Sequence, residues 1–201
     1  MPGRTYHDVM FVRAAAVVLI AAFAPAVANA AAPVVPASER GRPVLSGTYT
    51  TLNGKKIDLR RLRGRVVLVV NTASHCGYTD QYEPLEAMWR ANRRKGLSVV
   101  GVPSRDFQQE LRTNRQVARF CKRNFGVSFP MLRISRVTGP RAIRLFRGLA
   151  RPSWSRPPQW NFAKYLIDSR GRPAMYFPSS EEPDSPAVRS AIRALLTERR
   201  T

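Results

Sequence analysis

Residues 66–102 read VVLVVNTASHCGYTDQYEPLEAMWRANRRKGLSVVGV, and the order of the fold is written in them. Val66 to Asn71 is a β-branched and leucine run without polar alternation, the pattern of a strand covered on both faces at the centre of a sheet. Thr79 offers an N-cap hydroxyl, Asp80 and Glu83 sit in a first turn, and Tyr82, Leu85, Met88 and Trp89 recur at helical spacing before Gly96. Leu97 to Val102 is a second apolar strand. Strand, helix and strand over this length predict a right-handed crossover and therefore parallel pairing.

Working outward, Thr48 to Thr51 and Lys55 to Leu59 flank Asn53-Gly54, which predicts a leading hairpin. Asn114 is read as the cap of a helix carrying Val117, Phe120 and Cys121 that stops before Gly126. Pro130 to Ile134 and a helix through Ile143 to Leu149 follow. Tyr165 to Asp168 and Ala174 to Phe177 bracket a second turn at Ser169-Arg170-Gly171, and Pro186 opens a closing helix with Val188, Ile192, Leu195 and Leu196 inward. The expectation is an α/β domain: a central mixed β-sheet with helices on both faces and an N-terminal β-hairpin.

The chain has 201 residues, enough for one core. Arg4 and Arg13 precede the apolar run Ala14 to Ala28, which meets Ala28-Asn29-Ala30, a small-x-small cleavage pattern. Residues 1–30 are read as a signal peptide, with export to the periplasm or medium expected; 31–44, rich in Ala and Pro, as a flexible linker; and 45–199 as the folded domain. Two cysteines and two histidines exclude a structural zinc site, and no phosphate loop, nucleotide glycine fingerprint or carboxylate pair points to a resident cofactor. The formal charge is +21, but the basic residues are spread along the chain with no separate arm. That pattern is read as a solvated basic surface with no specific nucleic-acid partner, leaving weak association with anionic membranes open.

Cys76 is the candidate for chemistry. It follows the carboxyl end of the Val66 strand and precedes the helix, where open α/β sheets gather ligands and where a helix N-terminus favours a thiolate. His75 is adjacent, but neighbouring side chains diverge, and no third residue completes a protease-like triad.

The stretch Val70-Asn71-Thr72-Ala73-Ser74-His75-Cys76-Gly77-Tyr78-Thr79 resembles the active-site signature of glutathione peroxidases in their cysteine form. Leu97 to Pro103 with Phe107-Gln108-Gln109-Glu110 resembles the family's second signature. Phe120-Cys121 with Phe129-Pro130-Met131 resembles its middle helix and following strand, and Trp160-Asn161-Phe162 its late motif. The resemblance runs from Leu45 to Leu196. It implies a thioredoxin-like fold and a thiol peroxidase in which Cys76 attacks hydrogen peroxide or an organic hydroperoxide while Gln109, Trp160 and Asn161 hydrogen-bond its sulfur. It also matches Cys121 to the resolving cysteine of the thioredoxin-dependent branch, with thioredoxin-like protein or glutathione as reductant and no other cofactor. The loop after Phe107 is one residue shorter than the common form, which leaves Gln108 beside Gln109 as the amide. The alternative reading is an exported basic binding module on a redox-inactive scaffold, with Cys76 and Cys121 in a structural disulfide.

Overall fold

A computed structural model describes residues 34–200, so the proposed signal peptide lies outside the described residues. The core is a four-stranded sheet in the order β4-β3-β5-β6. β3 (Val66–Thr72) and β4 (Leu97–Pro103) pair in parallel, with Val66 opposite Leu97 and Thr72 opposite Pro103. β5 (Lys164–Ile167) runs antiparallel to β3 on its other side, and β6 (Pro173–Phe177) pairs antiparallel with β5. Every residue of β3 and β4 is buried, as their unbroken apolar runs require. The expected hairpin is present as a separate ribbon, β1 (Thr48–Thr50) with β2 (Lys56–Asp58).

Alternation along β3 divides the core. Val66, Leu68 and Val70 face α1 (Tyr82–Asn92), α2 (Asn114–Phe125) and α4 (Pro186–Glu198), while Val67 and Val69 face α3 (Arg144–Leu149) and Leu59 beyond the hairpin. Helices therefore cover both faces.

Two caps differ from expectation. Thr79 opens a short 3-10 turn, Thr79–Gln81, and α1 starts three residues later; the Thr79 hydroxyl turns back to the Cys76 amide and carbonyl, which the tight loop ahead of it leaves within reach. The N-cap of α2 is Thr113, whose hydroxyl accepts from Gln116 N while the Gln116 side chain accepts from Thr113 N, a capping box. Asn114 instead accepts from Ile134 N. Pro130 to Ile134 forms no strand, only bridges from Met131 to Gly101 and from Leu132 to Thr51.

The linker expectation needs correction for its described part, 34–44. Val35 N donates to Ala174 O, and Arg40 reaches Asp168 at 3.1 Å and Glu198 at 2.8 Å with its side chain 4% exposed. Asp168 also accepts from Arg172 and from two backbone amides of the β5–β6 turn. Composition suggested a tether because the anchoring is made by backbone groups and one arginine, which leave no apolar periodicity. Removing Asp168 leaves Arg40 with Glu198 alone and takes the carboxylate from Arg172, so Asp168→Ala is expected to cost about 3 kcal/mol in urea unfolding and to open the bond after Arg40 to trypsin. Unchanged stability and protease resistance would contradict this account of the segment.

Candidate active site

The site gathers where β3 ends. Its last residues enter a loop, Ala73 to Tyr78, that must turn sharply because the sheet stops and α1 begins on one face. Thr79 Oγ1 accepts from Cys76 N at 3.1 Å and donates to Cys76 O at 2.6 Å, so one hydroxyl folds the loop. Cys76 is 7% exposed, between the exposed His75 and Gly77. Tyr78 N–H points at its sulfur, with N···Sγ 3.4 Å. A backbone amide in that position stabilises a thiolate without competing for its proton. His75 turns outward, its ring 6.5 Å from that of Phe120.

The loop after β4 arrives beside it. His75 N donates to Gln109 O at 2.9 Å, and Gln109 Oε1 accepts from Asn161 Nδ2 at 2.9 Å. Gln108 is exposed with φ 59°, whereas Gln109 is half-buried and faces Asn161, so the loop presents Gln109. Asn161 is fully buried and its Oδ1 has no hydrogen-bond partner among the described residues. Trp160 is 42% exposed, its ring 5.4 Å from Phe107. The structure thus joins Gln109 to Asn161 and sets Trp160 alongside, but among the described residues none of these three side chains hydrogen-bonds Cys76 Sγ. The sulfur's bond is to Tyr78 N.

Holding Trp160 and Asn161 there takes strain. Phe162, next in the chain, has φ 64°, a left-handed conformation that a bulky residue adopts only when its surroundings compel it. The compulsion is Asn71. Phe162 N donates to Asn71 O at 2.6 Å, Asn71 Nδ2 donates to Trp160 O at 3.0 Å, and the Phe162 ring meets Tyr82 edge-on at 5.3 Å.

Several supporting residues carry no signature in the sequence. Lys164, fully buried on β5, donates to Gln81 Oε1 at 2.7 Å and Phe162 O at 2.6 Å, and burial lowers its pKa to about 7. It ties the Trp160 loop to the turn after Cys76. Glu110 Oε1 accepts from Ser74 Oγ at 2.5 Å, Ser74 N at 3.2 Å and Leu111 N at 2.8 Å. Burial still outweighs these donors and raises its pKa to about 7. Tyr82, buried beneath the site, lies against Cys121, and its phenol is pushed well above the ordinary value by desolvation. A glutamate or lysine beside a motif is commonly solvated, so only the fold reveals these two as buried.

Cys76 and Cys121 are both free thiols. Cys121 is 2% exposed on the inner face of α2, and burial raises its pKa to about 11. No group of three or more potential ligand residues able to hold a metal occurs among the described residues.

The chain is similar to known proteins over most of its described length. The family model described as glutathione peroxidase matches residues 44–150. The hydroperoxy fatty acid reductase gpx1 of Synechocystis sp. is 37% identical over 147 residues, 68% of this chain and 87% of that one. A glutathione peroxidase-like peroxiredoxin 2 of Saccharomyces cerevisiae is 34% identical over 149 residues, 72% and 91% of the two chains. Among solved structures, the apo crystal structure of Trgpx superposes with a TM-score of 0.61 at 26% identity, covering 79% of this chain and 98% of that one.

Glu110 holds its proton more tightly when folded than an ordinary carboxyl does, so its contribution to native stability falls as pH rises from 4.5 toward about 7 and is level above that. Glu110→Gln should flatten that slope in urea titrations across the same window. Parallel pH profiles for variant and native protein would show that the carboxyl is solvated.

Proposed function

The chain belongs to the glutathione peroxidase family and is a peroxidase acting on hydroperoxides, and from that premise we propose that Cys76 is the peroxidatic cysteine and Cys121 its resolving partner. The observation that carries the first assignment is the Cys76 loop itself, with the Tyr78 amide aimed at the sulfur and the Gln109–Asn161 pair beside it. The Cys76 thiolate attacks the terminal peroxide oxygen: an S–O bond forms, the O–O bond breaks, and the departing alkoxide or hydroxide takes up a proton. Gln109, Asn161 and the Trp160 indole are uncharged donors within the same cluster. They stabilise charge on the sulfur and the leaving oxygen once peroxide is bound.

The sulfenic acid left on Cys76 is then consumed by Cys121, which forms the disulfide as water leaves. A thiol held at a pKa of about 11 inside α2 is a poor nucleophile, so resolution requires α2 to open and carry Cys121 to Cys76. A thioredoxin-like protein or glutathione returns both thiols. The relative in Synechocystis, named for hydroperoxy fatty acids, supports organic hydroperoxides beside hydrogen peroxide as substrates. Residues 1–30 direct the enzyme to the periplasm or outside the cell.

In stopped-flow assays Cys76→Ser should consume no peroxide, and Cys121→Ser should complete one fast turnover and stall. Equal steady-state rates for native protein and Cys121→Ser with thioredoxin would remove Cys121 from the cycle. Thr113→Ala, which breaks the α2 capping box at a cost of about 1 kcal/mol, should speed disulfide formation roughly fivefold. An unchanged rate would mean that α2 need not open.

A further inference from the structure

On the face of the sheet opposite Cys76, a groove of about 1020 Å³ runs between the segment 41–46 and α3. Four arginines line it: Arg42 from the N-terminal segment, Arg144 and Arg147 one turn apart on α3, and Arg151 just beyond that helix. No carboxylate lines the groove, and none of the four forms an ion pair among the described residues.

The two walls are fixed against each other. A Cβ at Gly148 would lie 2.7 Å from Val44 Cγ1, and one at Gly41 would lie 3.1 Å from Pro152 Cγ, so glycine at both positions lets the N-terminal segment press against α3 and the chain after it. Arg40 is clasped by Asp168 and Glu198, and Val44 N donates to Gly171 O at 2.8 Å, which holds the backbone at Arg42 from both sides. Arg147 Nη1 donates to Ala142 O at 2.6 Å, orienting that guanidinium while its other donors stay available.

Four like charges around one depression repel each other, and a ligand with several negative charges relieves that repulsion. A guanidinium presents paired N–H donors that match two oxygens of one oxyanion. Linked phosphoryl groups carry such oxygens and a charge at every unit, so a short chain of them can meet several arginines at once. Apolar surface in the groove is limited to Pro43, Val44 and Pro152, with no aromatic ring. It therefore offers no stacking partner for a nucleobase and no channel for an acyl tail. A bilayer is flat, whereas these arginines surround a concavity, and that shape suits a small soluble anion.

We propose that this groove binds a compact soluble polyphosphate, an anion of two or more linked phosphoryl groups without an aromatic or acyl part. The bound anion bridges Arg42 to the arginines of α3 and fastens the N-terminal segment to the domain. The site is independent of the roles given to Cys76 and Cys121.

The test is calorimetric titration of purified full-length protein with sodium tripolyphosphate at an ionic strength of about 0.1 M, with citrate and phosphatidylglycerol vesicles alongside. Tripolyphosphate should bind saturably at one site, about tenfold tighter than citrate, and should slow trypsin cleavage after Arg42. Arg42→Ala and, independently, Arg144→Ala/Arg151→Ala should each weaken binding about tenfold or more. Arg42→Lys/Arg144→Lys keeps the charge and loses the fork, and should weaken it severalfold. Arg193→Ala/Arg200→Ala, on and after α4, should keep native affinity. Peroxide consumption by every variant should match the native rate, which separates loss of the site from loss of the fold; if an alanine variant fails that check, the lysine pair decides. Absence of saturable binding, equal affinity for citrate, or unchanged trypsin cleavage after Arg42 overturns the proposal. So does full affinity in the lysine pair, or an equal loss in the α4 pair, since either means attraction to a basic surface alone. Vesicle binding that needs Arg42 and Arg144 while tripolyphosphate does not bind assigns the groove to lipid headgroups and overturns the soluble ligand.

Discussion

Asn71 is the constraint on which the site depends. Its backbone carbonyl accepts from Phe162, its amide donates to Ala163 O, and its side chain holds Trp160 O, so three bonds from the last turn of a central strand pin the segment that carries Trp160 and Asn161. The strand can do this because both its faces are buried and its pairing to β4 and β5 leaves no freedom to slide. A left-handed Phe162 is the visible strain of that clamp. The same strand end launches the Cys76 loop, and so a single residue sets the separation between the sulfur and the amides that come to it from far along the chain.

The sheet was legible because its central strands are long apolar runs, and burial on two faces leaves that imprint on composition. The two hairpins followed from turn chemistry at Asn53-Gly54 and Ser169-Arg170-Gly171, whereas the placement of β5 beside β3 is seen only in the fold. Caps were less legible. Thr113 and Asn114 are both good caps, and only the capping box with Gln116 chooses between them. Thr79 is claimed by the loop before it rather than the helix after it, a competition that short-range pattern does not rank.

Within the site, the motif residues were legible and the groups beneath them were not. That Gln109 rather than Gln108 meets Asn161 follows from backbone conformation in the loop after β4. Glu110 and Lys164 are buried by the fold's layering, since β5 threads between β3 and β6 and the loop after β4 folds under Ser74. Burial also separates the two thiols. Cys76 meets an amide donor at the edge of a loop, while Cys121 is sequestered in a helix against Tyr82.

The Arg40 clasp bears on how the chain is made. Arg40 leaves the ribosome long before Asp168 and Glu198, from which it is separated by 128 and 158 positions. The strap across the β5–β6 turn and the end of α4 can therefore close only after α4 has emerged. Since β3 also waits for β5 to complete its pairing, both the sheet and the strap are completed only once the segment from β5 to α4 is available.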